Sequence, residues 1–244
     1  MNLLKKLLGR KETSRPICCA VVAAAGSSSR MGGENKLLIT LDGIPVLART
    51  LLALDSAALV DEIVVATRES DLLTIADLCK TYGIRKHVKI VRGGDSRLES
   101  VLAACLECRE DTAFIAVHDG ARPLADAAFI DNVISAAHRT NAAAPAVPVK
   151  DTIKVARDGV VESTPDRATL FAVQTPQVFD AQLLRAALQA AKENGAAVTD
   201  DCSAVEMLGK NVYLVDGSYE NIKITTPEDL ILAAAILRKR EESI

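Results

Sequence analysis

The stretch ICCAVVAA, residues 17–24, is an uninterrupted apolar run, and the small-residue loop AGSSSRMGGENK follows it directly over 25–36. A half-buried strand alternates apolar and polar residues, whereas a strand buried on both faces is continuously apolar. The run therefore predicts a central strand of a parallel sheet. The loop leaves that strand at the edge where such sheets bind their ligands.

Outward from this stretch, short β-rich segments alternate with amphipathic segments of helical length. We predict strands over 17–24, 62–66, 88–91, 113–117, 142–149 and 220–225, and helices over 45–54, 71–82, 98–107, 126–139, 203–208 and 227–240. Such alternation indicates βαβ units, whose right-handed crossovers place helices on both faces of a mostly parallel sheet. We therefore expect an α/β, Rossmann-like three-layer fold that forms a single domain over 16–244, after a flexible N-terminal extension over 1–15.

One segment interrupts this rhythm, namely DTIKVARDGVVEST over 151–164. It contains Asp158 and Gly159 between two β-rich arms, which is a strong signal for a hairpin. A lone two-stranded hairpin is only marginally stable in water. We predict a protruding β-arm at about 150–165 that packs on its own domain or on a second subunit.

The composition excludes several classes of function. The 244-residue chain has a formal net charge of −3 and contains three His, three Tyr, four Phe and no Trp. Nucleic-acid binding needs a surplus of Lys and Arg, and single-strand platforms need several aromatic residues, so no nucleic-acid partner is expected. A zinc site built from clustered His is not expected either.

The apolar runs and the cysteines indicate the compartment. The longest apolar run is far shorter than the ~20 residues that cross a bilayer, so we expect no membrane association. The six Cys lie mostly in apolar runs, as expected of reduced thiols in a cytoplasmic protein. Cys105 and Cys108 have CxxC spacing, which we interpret as core packing on a helix because no second pair accompanies them.

The loop over 25–36 carries groups suited to binding an anion. Its small residues let backbone N–H groups approach an anion closely, and Arg30 and Lys36 add two cations. The P-loop pattern requires Gly where Asn35 stands, and the dinucleotide pattern requires Gly where Ser28 stands. The residues alone leave open a phosphate-binding loop and a flexible surface loop with two solvated cations.

Acidic residues in two segments of the chain are explained either by ligand binding or by a structural role. His118 and Asp119 are adjacent, and neighbours in a strand point to opposite faces, so we interpret His118 as structural and Asp119 as the ligand. Asp200 and Asp201 precede a short predicted helix. Metal binding and helix capping both explain that position.

The loop resembles the nucleotide-binding signature AAGxGxRMxxxxPK of nucleotidyltransferases. Further motifs, in order, resemble one family, the 2-C-methyl-D-erythritol 4-phosphate cytidylyltransferases. These motifs are GGDSRLESV (93–101), VHDGARP (117–123), VKDTIK (149–154), TPQ (175–177), TDDCSAVE (199–206) and ENIKIT (220–225). The resemblance implies a homodimer that transfers CMP from CTP to methylerythritol phosphate in the non-mevalonate isoprenoid pathway, releasing pyrophosphate, with Mg²⁺ held mainly by the CTP phosphates.

The resemblance also implies roles for individual residues. The catalytic residues would be Arg30, Lys36, Arg167 and Lys223; the nucleotide-binding residues Ala24, Ala25, Gly26, Gly94, Asp95 and Ser100; and the substrate-binding residues Asp119, Arg122, Thr152 and Glu220. The β-arm would deliver Thr152 and Arg167 to the site of the other subunit. No residue of the chain is implied as a dedicated metal ligand.

Three positions depart from the family pattern. Ser28 replaces a Gly, Asn35 replaces a Pro and so loosens the loop, and Glu220 replaces an Asp. The extra methylene of Glu220 shifts its carboxylate by about 1.5 Å, which bears on the identity of the acceptor. The alternatives are a ribitol 5-phosphate cytidylyltransferase with the same chemistry and a non-catalytic nucleotide-binding module. A nucleotide-sugar pyrophosphorylase would share only the first loop.

Overall fold

The computed structural model describes residues 15–26 and 35–242 of the chain. Its strands are β1 (Cys18–Ala24), β2 (Thr40–Leu41), β3 (Ile44–Pro45), β4 (Glu62–Thr67), β5 (His87–Arg92), β6 (Phe114–Asp119), β7 (Ala142–Pro148), β8 (Val155–Arg157), β9 (Val160–Ser163), β10 (Phe171–Val173), β11 (Gln177–Asp180) and β12 (Tyr213–Asp216). Its α-helices are α1 (Val46–Ser56), α2 (Leu72–Thr81), α3 (Arg97–Glu107), α4 (Ala127–Thr140), α5 (Ala181–Glu193), α6 (Asp201–Met207) and α7 (Pro227–Glu241). Two short 3₁₀ helices cover Glu69–Asp71 and Arg167–Thr169.

The central sheet is mostly parallel, as the sequence predicts. Its main path runs β7-β11-β6-β1-β4-β5, and β10 and β12 also pair with β7. The pairs β6–β1, β1–β4, β4–β5 and β12–β7 are parallel. The pairs that involve β10 or β11 are antiparallel. The predicted apolar run therefore forms β1, at the centre of the sheet.

Side chains of β1 enter two separate cores, one on each face of the sheet. Ala20 and Val22 pack into the core that includes side chains of α1 and α4. Cys19 and Val21 pack into the core that includes side chains of α3, α5 and α6. Because both faces of β1 are buried, its sequence has no polar alternation. The arrangement confirms the Rossmann-like three-layer fold.

Helix starts follow the local sequence signals. The carboxylate of Asp126 accepts a hydrogen bond from the Phe129 backbone N–H at 2.8 Å and so caps α4. Pro227 occupies the first turn of α7, where its missing N–H costs nothing. Asp229 accepts from the Thr226 backbone N–H at 2.8 Å. These caps satisfy N–H groups that a helix leaves unpaired at its start.

The predicted β-arm is present and lies outside the main sheet. Among the described residues, strands β8 and β9 pair only with each other, in a two-stranded sheet. Asp158 and Gly159 have φ values of 50° and 80°, the left-handed conformation that a tight hairpin turn requires. Apolar side chains of the arm stay exposed, with Val160 at 69% and Val161 at 54%.

The prediction of a strand over 220–225 is wrong. The last strand is β12, which pairs in parallel with β7, and 221–225 is an irregular segment. Its polar groups bond to loops rather than to a neighbouring strand. The Ile224 N–H donates to the Ala121 carbonyl at 2.8 Å, and the Asn221 amide donates to the Thr175 carbonyl at 3.0 Å. Those partners hold the segment across the end of the sheet.

The ends of the chain and the domain limits stay predictions. Of the predicted flexible extension over 1–15, only Arg15 lies within the described residues, and its guanidinium bonds both carboxylate oxygens of Asp61 at 2.8 Å. The single domain over 16–244 likewise stays a prediction. In the part of the chain that the structure describes, no helix has the length and apolar character needed to span a bilayer.

Candidate active site

A cleft of about 330 Å³ opens where β1, β5 and β6 end. The carboxyl ends of parallel strands are where α/β folds bind ligands. The predicted site residues that line the cleft are Ala24, Ala25, Gly26, Lys36, Gly94, Asp95, Ser100, Asp119 and Lys223. Residues that lie far apart in the sequence thus share one small volume.

Gly93 and Gly94 follow β5 and let the chain pack closely beside the cleft. A Cβ atom on Gly93 would lie 2.7 Å from the Ser100 Oγ and 2.8 Å from the Ala25 Cβ, closer than packed atoms approach. A Cβ on Gly94 would collide with the Glu99 side chain. Ser100 is fixed in turn, because its hydroxyl donates to the Ser96 carbonyl at 2.8 Å. Glycine at these two positions therefore lets the segment after β5 pack closely against Ala25 and α3, and Gly94 itself lines the cleft.

Asp119 ends β6 and gathers cations around its carboxylate. Its oxygens lie 2.8 Å from the Lys223 Nζ, 3.5 Å from the Arg122 Nε and 3.9 Å from the Arg97 Nη2. Burial raises the pKa of a carboxyl, but Lys223 and Arg97 outweigh it and hold the pKa of Asp119 at about 2. Asp119 is therefore ionised at neutral pH and places the Lys223 ammonium at the cleft.

Lys36 reaches the cleft from the loop after β1. Its ammonium donates to the Ile224 carbonyl at 2.7 Å. Asn35 fixes the backbone before it, since its side chain donates to Asp71 at 3.0 Å and accepts from the Leu37 N–H at 3.2 Å. The expected loosening of the loop at Asn35 is thus opposed by two side-chain hydrogen bonds. Ser28 lies outside the described residues.

Other predicted site residues lie away from the cleft lining. The Arg122 guanidinium is buried behind it and donates to the Asn221 carbonyl at 2.6 Å. Glu220 pairs with Arg240 at 2.9 Å instead of facing the cleft. Thr152 and Arg167 are exposed near the β-arm. Arg30 lies outside the described residues, so its position stays a prediction.

Comparison with known proteins decides the family. Residues 18–239 match the family model for 2-C-methyl-D-erythritol 4-phosphate cytidylyltransferase. The chain belongs to this family. The cytidylyltransferase of Desulforamulus reducens is 46% identical over 224 residues, which cover 91% of this chain and 96% of that relative. The cytidylyltransferase of Bacillus cereus is 42% identical over 223 residues, which cover 91% of this chain and 98% of that relative.

Solved structures of the same family share the fold. The 4-diphosphocytidyl-2C-methyl-D-erythritol synthase of Anaerococcus prevotii superimposes with a TM-score of 0.83 at 32% identity, covering 91% of this chain and 96% of that one. The 2-C-methyl-D-erythritol 4-phosphate cytidylyltransferase of Thermus thermophilus gives 0.74 at 30% identity, covering 91% and 99%. The resemblance noted in the motifs is therefore confirmed for the family and the fold.

Arg97 lines the cleft of this cytidylyltransferase, and the sequence reasoning missed it. It is the first residue of α3, and its guanidinium donates to the buried carboxylate of Asp201 at 2.7 Å. The sequence feature that could have identified Arg97 is its position inside the GGDSRLESV motif. Asp200 accepts from the Ser203 N–H at 2.9 Å, so the capping interpretation explains Asp200. Asp201 serves instead as the anchor of Arg97.

His118 has a structural role, as the sequence analysis proposed. It is fully buried in β6, and its Nδ1 lies 2.9 Å from the Thr175 hydroxyl. Burial lowers the pKa of His118 to about 4, so the ring is neutral at neutral pH. Because its ring is uncharged at pH 7, His118 cannot neutralise the charge of a phosphate group at that pH. The charge in this region comes from the lysines and arginines.

The pKa of His118 predicts acid sensitivity of the fold. In the unfolded chain His titrates near 6.5, so below that pH the unfolded state binds the proton that the folded state excludes until about pH 4. Stability should fall by roughly 2 kcal/mol between about pH 7 and pH 5 from this group alone. Urea unfolding of the wild type and of His118→Gln measures it. An equal pH dependence in both proteins would contradict the assignment.

Proposed function

We propose that this protein transfers CMP from CTP to 2-C-methyl-D-erythritol 4-phosphate and releases pyrophosphate, in non-mevalonate isoprenoid biosynthesis. The observation that carries the proposal is the meeting of Lys36, Lys223 and the glycine-lined wall in one cleft of a chain that belongs to this family. A nucleoside triphosphate and a phosphomonoester are both anionic. Such a cleft offers them cations and exposed backbone.

The chemistry needs charge stabilisation more than proton transfer. An oxygen of the acceptor phosphate attacks the α-phosphorus of CTP, and the bond from that phosphorus to the bridging oxygen breaks as pyrophosphate leaves with the electron pair. The attacking phosphomonoester is largely ionised near pH 7, because its second pKa is about 6. No general base is required. Lys36 and Lys223 would stabilise the charge that builds up on the transferring group.

The two ends of the cleft suit the two ends of the nucleotide. Gly94, Asp95 and Ser100 form the wall after β5, where we place the cytosine. Ala25 and Gly26 begin the loop after β1, where we place the triphosphate. Bringing two anions into line for displacement is itself worth up to ~7–11 kcal/mol of the barrier. Arg30, from the same loop as Lys36, is proposed as a third cation of the site beside Lys36 and Lys223.

The carboxylates of the cleft suit a magnesium ion that is bound mainly through the CTP phosphates. The Asp119 carboxylate is already engaged by Lys223, and Asp95 is exposed at the edge. Asp95 belongs to the wall where we place the cytosine, so this donor set fits an ion held mainly by CTP phosphates, with Asp119 as the protein carboxylate near it. When bound, Mg²⁺ would supply neutralisation of the triphosphate and of the leaving pyrophosphate.

We also propose a homodimer in which the β-arm completes the neighbouring site. Apolar side chains that are more than a third exposed cluster in and beside the arm, namely Ile153, Val155, Val160, Val161, Phe171 and Val173. An exposed apolar cluster of this kind favours burial against a partner. Arg167, whose guanidinium bonds the Lys150 carbonyl at 3.0 Å, starts from the base of the arm and would reach that site with Thr152.

Mixing two inactive variants tests the shared site. Lys36→Ala and Arg167→Ala should each be nearly inactive alone. If Arg167 acts across the dimer, each mixed dimer has one site with both lesions and one intact site, so random reassociation restores about a quarter of wild-type activity. No recovery after verified subunit exchange would place Arg167 in its own subunit's site or outside catalysis.

The acceptor is tested by assaying the two candidate acceptors separately. The purified protein is given CTP, Mg²⁺ and either methylerythritol phosphate or ribitol 5-phosphate, and pyrophosphate release is followed. We expect turnover of methylerythritol phosphate, with kcat/KM for ribitol 5-phosphate lower by roughly 10²-fold or more. Turnover of ribitol 5-phosphate alone would overturn the acceptor. CTP binding without turnover of either acceptor would indicate a nucleotide-binding module.

The cytoplasm is the proposed location. The described cysteines are all free, and most are buried, which suits a reducing compartment. The substrates of the proposed reaction are small phosphorylated metabolites.

A further inference from the structure

At the end of the sheet opposite the cleft, three metal-ligating side-chain types lie in one row across neighbouring strands. Cys19 on β1 is in register with Glu62 on β4, and Glu62 is in register with His87 on β5. In-register residues of a parallel sheet point to the same face, and neighbouring strands are about 4.8 Å apart. The thiol, the carboxylate and the imidazole are therefore consecutive neighbours on one face.

Helix α3 adds a fourth group from above this row. Cys108 directly follows its last residue, Glu107, and the Cys108 Sγ lies 3.0 Å from the Cys19 Sγ. The Sγ atoms of Cys19 and Cys108 and a carboxylate oxygen of Glu62 all lie within 4.8 Å of one another. All three residues are buried, at 0%, 7% and 1% exposure. The CxxC partner Cys105 is not part of this group and packs in the core, as predicted.

Glu62 has one satisfied oxygen and one without a partner. Its Oε1 accepts from the Arg109 backbone N–H at 2.7 Å. Its Oε2 is buried and has no hydrogen-bond partner among the described residues. The His87 Nδ1 lies 3.9 Å from that oxygen. A buried carboxylate oxygen with no donor is costly, and a bound cation would remove that cost.

We propose that Cys19, Glu62 and Cys108 bind a zinc ion, with the Nδ1 of His87 as the fourth ligand. Thiolate, imidazole and carboxylate are the ligands that zinc takes in proteins. The carboxylate disfavours copper(I), which prefers soft ligands alone. The site lies far from the cleft and joins β1, β4, β5 and the end of α3, so its role is structural.

Binding requires the side chains to adjust, and the His87 ring in particular must move toward the two sulfurs, because His87 is outside the group whose ligand atoms lie within 4.8 Å of one another. Tetrahedral zinc with Zn–S bonds of about 2.3 Å holds its sulfurs about 3.8 Å apart. The two thiols, now 3.0 Å apart, must therefore separate by about 0.8 Å. The hydrogen bond with Cys108 and burial raise the pKa of Cys19, so its thiol is protonated before the metal arrives. Each sulfur binds zinc as a thiolate, so the proton that Cys19 carries passes to the buffer as its Zn–S bond forms.

Cobalt titration of the full-length protein tests the site, because thiolate–cobalt bonds give a charge-transfer band that carboxylate or phosphate sites do not. After dialysis against a chelator, the wild type should bind one Co²⁺ per chain with this band, and stoichiometric Zn²⁺ should abolish it. Cys105→Ala, a buried cysteine of the same helix, should keep the band. Cys108→Ala should lose it.

A substitution of the exposed ligand His87 separates the loss of metal binding from a loss of folding. His87 is 66% exposed, so His87→Ala should fold normally, as circular dichroism checks. It should weaken Co²⁺ binding by more than the roughly 10–100-fold that follows loss of an outer-shell partner. Absence of the band in the wild type would overturn the proposal. So would a native intact mass lower by two hydrogens that shows a Cys19–Cys108 disulfide.

Discussion

Lys36→Ala should lower kcat roughly 10²–10³-fold, the loss typical of removing one group that stabilises transition-state charge. Lys36 lines the cleft with Lys223, and both would face the phosphates during transfer. The variant also loses the hydrogen bond to the Ile224 carbonyl, which should lower the free energy of unfolding by roughly 1–2 kcal/mol. Steady-state rates with saturating CTP and methylerythritol phosphate measure the first effect, and urea unfolding measures the second.

Lys89→Ala is the matched control for this change. The Lys89 ammonium also bonds one backbone carbonyl, that of Glu107, at 2.6 Å. Lys89 lies in β5 and does not line the cleft. It should show a similar or smaller loss of stability with unchanged kcat. If both variants kept wild-type kcat, Lys36 would have no part in the transfer.

Asp119→Asn should be the most destabilising single change in the site, at roughly 3–5 kcal/mol. The substitution keeps the shape of the side chain and removes the charge that Lys223, Arg122 and Arg97 surround. The Arg122 side chain is only 11% exposed, so solvent cannot replace the lost partner. The Lys223 ammonium also loses the carboxylate that positions it. Turnover should therefore fall together with the midpoint of urea unfolding.

Asp111→Asn provides the comparison on the surface. Asp111 bonds the Arg109 guanidinium at 2.7 Å, but both side chains are about half exposed. Exposed ion pairs contribute little to stability, so this variant should keep its stability and its turnover. Equal losses of stability in the two variants would show that burial at Asp119 does not set the size of the effect.

Local patterns predict those elements whose sequence reflects burial on both faces or a special backbone conformation. The run over 17–24 predicts β1 because a central strand excludes polar residues from either side. Asp158 and Gly159 predict the turn of the arm because few residues adopt its left-handed φ. The short strands β10, β11 and β12 have no such signature. They depend on pairing with distant parts of the chain: β10 and β12 pair with β7, and β11 pairs with both β6 and β7.

The same distinction applies to the site. The motifs predict that Lys36, Asp119 and Lys223 belong together, and the cleft brings them together. No pattern in the sequence shows that Arg97 is bound to Asp201, because that pair joins α3 to α6. Glu220 also has a partner that no motif predicts, because its carboxylate pairs with Arg240 of α7 at 2.9 Å. Its role in substrate binding stays a prediction.

The irregular segment over 221–225 carries Lys223 and is held by distant parts of the chain, so catalysis requires the completed fold. It is fastened by Lys36 from the loop after β1, by Arg122 from the loop after β6, and by the N–H of Ile224 on Ala121. Lys223 takes its position only when all of these distant parts are in place. A chain that has formed β1 and its neighbours without closing this segment would lack the full set of cations. Turnover should therefore appear in the last step of refolding, later than the signal for secondary structure, and so report on native molecules alone.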